Sequence, residues 1–150
     1  MEAVAEPQGL RYDRRWMLVD ENGCFVSQRT FPLMASLSVR LSPEGLEVWH
    51  RDSQEDTLLV LFTPPQPRPL TVEIWDDTVE AVSVSDTANR WFSEKLQTSL
   101  KLVYMPETYH RGVDPRYAQA NEPVSFADGY PYLVIGSASL NDLNSRLSAT

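Results

Sequence analysis

The sequence predicts a mainly β domain with two helices, and three observations lead to that fold class. Proline and glycine divide the chain into short segments of the length expected for strands. Two of these segments flank Asn22-Gly23, a dipeptide typical of tight hairpins. Apolar residues recur at helical spacing in two places, after Asp86 and after Ser139. The count is roughly eight strands and two helices, which favours a β-barrel with α additions.

Each predicted strand is an apolar segment bounded by turn residues. The turn Ser42-Pro43-Glu44-Gly45 has a proline that presets φ and a glycine that accepts a positive φ. Residues 63–69 include four prolines without an N–H donor, so this stretch cannot lie in the interior of a sheet. The predicted strands are residues 16–19, 24–27, 37–41, 46–49, 58–62, 70–75, 79–84, 100–104 and 130–135.

Both helices have recognisable starts. Asp86 is predicted to cap the first helix, whose apolar face is formed by Ala88, Trp91, Phe92 and Leu96. Ser139-Leu140-Asn141-Asp142 resembles a capping box that opens the second helix. Its apolar face would need a partner to cover it, and consists of Leu140, Leu143 and Leu147.

Composition excludes several function classes. The chain has 150 residues, the size of one ordinary domain, and its net charge of −8 disfavours a nucleic-acid partner. No apolar stretch approaches the ~20 residues of a membrane-spanning helix, and no secretory signal opens the sequence, so we expect a cytoplasmic protein with no membrane partner. Glu73, Asp76, Asp77 and Glu80 are interpreted as a solvated edge, and we expect no metal site.

A type I′ turn at Asn22-Gly23 would place Glu21 opposite Cys24 and Trp16 opposite Arg29. Arg14, Trp16, Ser27 and Arg29 would then share one face, with the two arginines roughly 7–8 Å apart at the backbone and able to bind one anion. A three-residue turn would shift the register and place Arg29 opposite Arg15 instead. Alternatively, both arginines pair with local carboxylates such as Asp13 or Asp20.

Other chemically active residue types have simpler interpretations. The polar loop of residues 107–123 is long enough to be functional or mobile, and its His110, Arg111 and Arg116 either close over an anion or are solvated. Cys24, the one cysteine, is interpreted as an inert hairpin residue. All four tryptophans are interpreted as core residues: Trp16, Trp49, Trp75 and Trp91.

Three stretches resemble the MOSC superfamily in order and spacing. They are residues 9–10 with 13–20, residues 23–34, and residues 125–133 continuing through 139–144. The resemblance implies an N-terminal β-barrel domain at residues 1–124 and the opening strand and helix of a MOSC domain at residues 125–150. In the family, the MOSC domain binds the molybdenum cofactor (molybdopterin) through a cysteine and packs against the barrel.

The resemblance also implies activities for the parent protein. The amidoxime-reducing branch is an oxidoreductase that reduces N-hydroxylated compounds with electrons from a partner redox protein, whereas other branches are sulfur carriers, and pyridoxal phosphate binding is associated with the family. Nothing before Gly9 matches the family's Tyr/His-Pro-Val-Lys-Ser strand, and Cys24 does not align with the molybdenum ligand. We therefore expect no cofactor and no catalysis in this chain alone.

The family's barrel places the arginine of a Gln-Arg pair against the cofactor, which implies that role for Arg29, with Arg14 beside it. Ser125, Asp128 and Gly129 lie where the family's chain passes close to the cofactor, although composition alone favours a simple turn at residues 127–129. These five residues are the predicted cofactor-binding set. The alternative function is a non-catalytic binding module for an anionic ligand or a protein partner.

Overall fold

The computed structural model describes residues 3–147 and confirms a mainly β fold with two helices. No helix in this range is both long enough and apolar enough to cross a membrane. The elements are β1 (Ala5–Glu6), β2 (Gly9–Leu10), β3 (Trp16–Val19), a 3-10 helix (Pro32–Ser36), β4 (Leu37–Leu41), β5 (Gly45–His50), β6 (Ser53–Leu61), β7 (Arg68–Ile74), β8 (Asp77–Ser83), α1 (Asp86–Leu96), β9 (Lys101–Tyr104), β10 (Arg111–Gly112), β11 (Pro123–Val124) and α2 (Ser137–Leu147).

A ring of backbone pairings forms the centre of the domain. Strands β3, β9, β8 and β7 make an antiparallel sheet in that order. Cys24 and Phe25 join its two edges, because Phe25 pairs with Val19 of β3 and Cys24 pairs with Glu73 of β7. A second antiparallel sheet, β4-β5-β6, packs its inner face onto α1 and β3 through apolar residues.

The register of the first hairpin differs from the two-residue turn that the sequence predicts. Asp20 N donates to the Cys24 carbonyl at 2.9 Å, so three residues connect the strands and the alternative register is the observed one. The Asp20 carboxylate accepts the N–H groups of Asn22 and Cys24, and this Asx-type turn overrides the local preference of Asn22-Gly23. Pairing ends at Val26, so Arg29 lies in a turn and not on a strand face with Arg14.

The turn at Ser42–Gly45 is confirmed, but the reason for its glycine is different from the predicted one. Gly45 has no positive φ; a Cβ there would lie 2.0 Å from the Val60 carbonyl oxygen of the neighbouring strand. The close approach of β6 therefore requires glycine. Strand β6 is also longer than predicted, since it begins at Ser53.

Trp75 is not a core residue. The β7–β8 hairpin turns through Trp75 and Asp76, with Ile74 opposite Asp77, and Trp75 is 46% exposed with a φ of 54°. Trp91 is buried, and Trp16 and Trp49 are half-buried. Pro69 lies near the start of β7, an edge position in the sheet where a missing N–H donor is tolerated.

Helix α1 buries the four predicted residues, Ala88, Trp91, Phe92 and Leu96. Its N-cap is Ser85 and not Asp86, because the Ser85 hydroxyl accepts the Ala88 N–H at 3.1 Å. The core has two main layers, one between α1 and the β4-β5-β6 sheet and one between β3, β7, β8 and β9.

The C-terminal part departs most from the predicted elements. The loop of residues 107–123 is partly ordered by the short pairing of β10 with β11. Residues 130–135 do not form the predicted strand; Leu133 and Val134 are 91% and 90% exposed, and no strand pairs with them among residues 3–147. Helix α2 begins at Ser137, two residues before the predicted cap, and buries none of its residues.

Candidate functional site

The predicted site residues converge on one segment, residues 125–131. The Ser125 hydroxyl donates to the Asp13 carbonyl at 3.3 Å, and Phe126 N–H donates to the Arg14 carbonyl at 3.0 Å. An Arg14 guanidinium N–H reaches the Pro131 carbonyl at 3.3 Å. The chain that leaves β11 therefore runs beside residues 13 and 14, which lie far from it in sequence.

Arg29 reaches the same segment from the first hairpin. Its guanidinium lies 4.0 Å from the Asp128 carboxylate and 5.8 Å from the centroid of the Trp75 ring. Arg29 and Asp128 are 78% and 70% exposed, so their ion pair is screened by water and weak. The guanidinium of Arg29 consequently remains accessible to a ligand.

Arg14 and Arg29 each have their own carboxylate partner. Two nitrogens of Arg14 donate to the Asp13 carboxylate, at 2.9 and 2.7 Å, which matches the predicted alternative of a local partner. Arg14 also has a φ of 51°, a left-handed conformation outside any strand. The two arginines therefore approach residues 128–131 separately and do not share the strand face that the predicted turn required.

Ser125 differs from the other members of the predicted set because it is buried. It is 1% exposed, whereas Asp128 and Gly129 are exposed at the surface. The Ser125 hydroxyl is committed to the Asp13 carbonyl, so this side chain fixes the position of the segment. Asp128 and Gly129 lie on the open side of it.

Arg111 is interpreted from the sequence as closing over an anion or as solvated, which misses its role as a buried contact. It is 7% exposed, and its guanidinium donates to Asp77 at 2.6 Å and to the carbonyls of Ser125 and Ala127 at 3.1 and 2.6 Å. These contacts clamp residues 125–127 onto the β7–β8 hairpin. Two β-branched residues in this polar region, Val113 and Val124, could have indicated that the loop is partly buried. They form a small core with Ala127 beside Arg111.

A cleft of about 420 Å³ lies beside Asp128 and Gly129. Carboxylates dominate its polar lining: Asp76, Asp77, Asp114 and Asp128, together with Arg111. The hydrogen bond from Arg116 lowers the pKa of Asp114, which keeps that carboxylate ionised at neutral pH. An anion at this cleft would therefore depend on the exposed Arg29 at its edge for attraction.

Two further candidates from the sequence are the Cys24 thiol and the acidic residues between positions 73 and 80. Burial raises the pKa of the Cys24 thiol, and the Glu73 carboxylate, 3.5 Å from its Sγ, raises it further. Cys24 is thus a thiol at neutral pH, as the interpretation of an inert residue requires. Among residues 3–147, no group of three His, Cys, Asp or Glu side chains could hold a metal ion, and the predicted solvated edge at residues 73–80 is exposed at its four acids.

Comparisons with known proteins agree on the family. The model of the MOSC N-terminal beta barrel domain matches residues 1–99. Mitochondrial amidoxime-reducing component 1 from mouse is 31% identical over 97% of this chain, and the chain covers 45% of that protein. Molybdenum cofactor sulfurase from rice is 28% identical over 94% of this chain, which covers 18% of that protein. The chain thus spans less than half the length of these two relatives.

One solved structure supports the fold. A solution structure of a Bordetella bronchiseptica protein matches 68% of this chain and 85% of its own chain, with a TM-score of 0.54 and 16% sequence identity. At 16% identity, the similarity supports a shared fold and nothing more.

Proposed function

This chain belongs to the MOSC N-terminal beta barrel domain family, and from that premise we propose that it forms one wall of a molybdenum-cofactor site in a longer protein. Convergence of the candidate residues supports the proposal. Arg29, in the turn after the first hairpin, and Arg14, in the turn before β3, both contact residues 128–131, far along the chain. The amidoxime-reducing and cofactor-sulfurase relatives supply the cofactor class.

The residues at this wall fit one edge of an anionic pterin group. The exposed Arg29 guanidinium offers charged N–H donors for phosphate oxygens, and the Asp128 carboxylate accepts hydrogen bonds from pterin N–H groups. Gly129 has nothing within 4 Å of an added Cβ, so its backbone is open to a close neighbour. The cofactor supplies the redox or sulfur chemistry, and this wall binds and orients it.

The parent protein is proposed to reduce N-hydroxylated compounds or to carry sulfur for cofactor maturation. Reduction requires an electron-donor redox protein as a further partner. The wall needs a second domain to complete it, and the exposed apolar residues after Gly129 support a downstream MOSC domain as that partner. The domain boundary between residues 124 and 125 stays a prediction.

Cofactor content tests the proposal. In a protein where this chain continues into a MOSC domain, Arg29→Ala is expected to lower the molybdenum and pterin content per protein several-fold. Arg116→Ala is the matched control, because Arg116 is also 78% exposed, paired with an aspartate, and stacked 5.6 Å from an aromatic ring. Equal cofactor content in both variants and in the unmodified protein would contradict a role for Arg29.

A second proposal, a binding module for an anionic ligand, is favoured by the accessibility of Arg29 alone. It predicts that a simple phosphate ester shifts the amide resonances of Arg29 and Asp128 in the isolated chain, and that Arg29→Ala removes those shifts. The carboxylates that line the neighbouring cleft oppose such binding, so the cofactor-wall proposal is the better supported of the two.

A further inference from the structure

Strand β4 forms a free edge of the second sheet. It pairs with β5 on one side, and among residues 3–147 no strand pairs with it on the other side. An unpaired edge presents a row of backbone N–H and C=O groups to which a further strand can bond. Proteins usually protect such edges with a proline, an inward-pointing charge or a bulge, and β4 has none of the three.

Two hydrogen bonds at the ends of the β4–β5 hairpin show which backbone groups face the free edge. Ser42 N–H donates to the Gly45 carbonyl at 2.8 Å, and Arg51 N–H donates to the Ser36 carbonyl at 2.9 Å. Hydrogen-bonded pairs alternate along an antiparallel ladder. The even-numbered residues of β4 therefore bond to β5, and its odd-numbered residues direct their N–H and C=O groups to the free edge.

Val39 and Leu41 offer both of their backbone groups at this edge. Leu37 offers only its C=O, because its N–H donates to the Met34 carbonyl. In the described chain, no other strand bonds to these groups. The edge thus presents acceptors and donors at the two-residue spacing that only another extended chain matches.

The same residues expose apolar side chains on the inner face of the sheet. Val39 lies directly opposite Val48, and Leu41 lies opposite Leu46, which in turn lies opposite Val60. Val48 and Val60 are 3% and 2% exposed, whereas Val39 and Leu41 are 59% and 45% exposed. Strand β4 therefore leaves in water the face that its neighbours bury, and a strand added beside it would cover that face.

The sequence of β4 is complementary to itself in an antiparallel pair centred on Val39. In that register Val39 lies opposite its own copy, Leu37 lies opposite Leu41, and Ser38 lies opposite Arg40. Apolar side chains meet on the inner face, and no like charges lie directly opposite each other. Two hydrogen bonds between the Val39 residues and two from Leu41 N–H to the Leu37 C=O would join the copies.

We propose that the chain forms a twofold-symmetric dimer through antiparallel pairing of β4 with β4 of a second copy. The two three-stranded sheets then join into one continuous sheet, which covers Val39 and Leu41. A twofold interface uses the same surface on both copies, so the assembly stops at two. None of residues 37–41 belongs to the proposed cofactor wall, and the dimer forms whether or not that wall binds a cofactor.

Sedimentation and hydrogen exchange test the dimer in the 150-residue chain. Each copy carries a net charge of −8, so both measurements use about 0.15 M salt, which screens charges beyond about 8 Å. Sedimentation from micromolar to millimolar concentration is expected to show a monomer–dimer equilibrium. Amide exchange is expected to slow with concentration more at Val39 and Leu41 than at Ser38 and Arg40, which already bond to β5 in the monomer. A chain that stays monomeric at millimolar concentration would overturn the proposal.

Val39→Pro removes an N–H that β5 does not use, so the hairpin keeps its own ladder. It is expected to raise the dissociation constant about twenty-fold, the effect of two lost hydrogen bonds in the dimer. Leu59→Pro is the matched control on the opposite edge of the sheet, because Leu59 is also apolar and 42% exposed. Its N–H also faces away from β5, since Phe62 N–H donates to the Glu44 carbonyl. The control is expected to leave the dissociation constant unchanged.

A second variant, Val39→Lys, keeps the backbone N–H. A lysine at this position faces its own copy across the twofold axis, and like charges directly opposite each other destabilise a strand pair. The monomer tolerates the change because Val39 is 59% exposed, and an unchanged circular dichroism spectrum checks that each variant folds. Val39→Lys is expected to abolish the dimer. A dimer that persists in both folded Val39 variants would lie on another surface and overturn the role of β4.

Discussion

The barrel (residues 3–127) and the C-terminal segment (residues 128–147) both contain many apolar residues. The barrel buries them, whereas the C-terminal segment exposes them to solvent. In the barrel, Leu96 and Ile74 are 0% exposed. In the C-terminal segment, Leu133 is 91% exposed, and the apolar face of α2 (Leu140, Leu143 and Leu147) is between 44% and 64% exposed. The difference teaches that an apolar pattern predicts a need for burial but does not say which surface provides it.

The largest expected effect comes from comparing the loss of a buried leucine in the barrel with the loss of an exposed leucine in the C-terminal segment. Leu96→Ala removes a fully buried side chain and is expected to lower the free energy of unfolding by about 3 kcal/mol, from lost transfer energy and the cavity that remains. Leu133→Ala is expected to change it by less than about 0.5 kcal/mol, because that side chain is already in water. Urea unfolding of both variants gives the comparison, and similar losses would show that residues 128–147 are packed in solution.

The next effect concerns the join between the two regions. Arg111→Met removes the clamp on residues 125–127 and leaves two carbonyls without their donor. We expect a loss of about 2 kcal/mol in the free energy of unfolding, less than for a fully buried pair because Asp77 is 49% exposed. Hydrogen exchange at Phe126 and Ala127 is expected to accelerate more than in the core strands.

Arg116→Ala is the control for the clamp, since Arg116 pairs with Asp114 in the same loop but is 78% exposed. It is expected to leave both the unfolding free energy and the exchange rates at residues 126 and 127 unchanged within error. Equal effects of the two variants would mean that the buried contacts of Arg111 do not hold the segment.

A smaller effect distinguishes the two possible caps of α1. Ser85→Ala removes the observed cap and is expected to lower the free energy of unfolding by about 1 kcal/mol. Asp86→Ala, which removes the cap that the sequence predicts, is expected to cost only about 0.3 kcal/mol through the helix dipole. Thermal unfolding of the two variants decides between them, and the reverse order would restore Asp86 as the cap.

Local patterns predict the barrel well where neighbours in sequence decide the structure. The 3.6-residue spacing identifies all four buried residues of α1, and the turn at residues 42–45 lies where its proline and glycine indicate. Local sequence patterns give wrong predictions where contacts between residues distant in sequence determine the structure. The first hairpin takes its register from the Asp20 carboxylate and from pairing with Glu73, and residues 130–135 have apolar strand composition but no partner strand beside them.

The candidate site was predictable only in part. Resemblance to the family selected Arg29 and Asp128, and the structure places their side chains 4.0 Å apart. The predicted sharing of one strand face by Arg14 and Arg29 is wrong, because the strand pairing ends before Arg29 and Arg14 pairs with Asp13. Arg111 escaped prediction because its partners, Asp77 and residues 125–127, are brought to it by tertiary structure alone.

The smallest expected effect is a difference in pH dependence between the two helices. Asp56 of β6 contacts Lys95 of α1 and accepts the Trp91 indole N–H at 3.1 Å, and the Lys95 hydrogen bond is the main cause that lowers the pKa of Asp56 below 3.8. A lowered pKa in the folded state stabilises the protein above the unfolded value, and this contribution is lost as the pH falls from about 4 through the folded pKa. Asp56→Asn should therefore lower the Tm at pH 7, with a difference from the unmodified protein that shrinks below pH 4.

Asp142→Asn is the matched control, because Asp142 also pairs with a basic residue, Arg146 at 2.8 Å, but does so within α2. Since α2 buries no residue, breaking that pair does not detach the helix from a core, and the Tm is expected to stay unchanged across the pH range. The Asp56 carboxylate acts between a helix and a sheet, so its loss reaches the cooperative unit that unfolds. A pH-dependent loss of Tm in Asp142→Asn would show that α2 belongs to that unit, and the contrast between the barrel and the C-terminal segment would then be wrong.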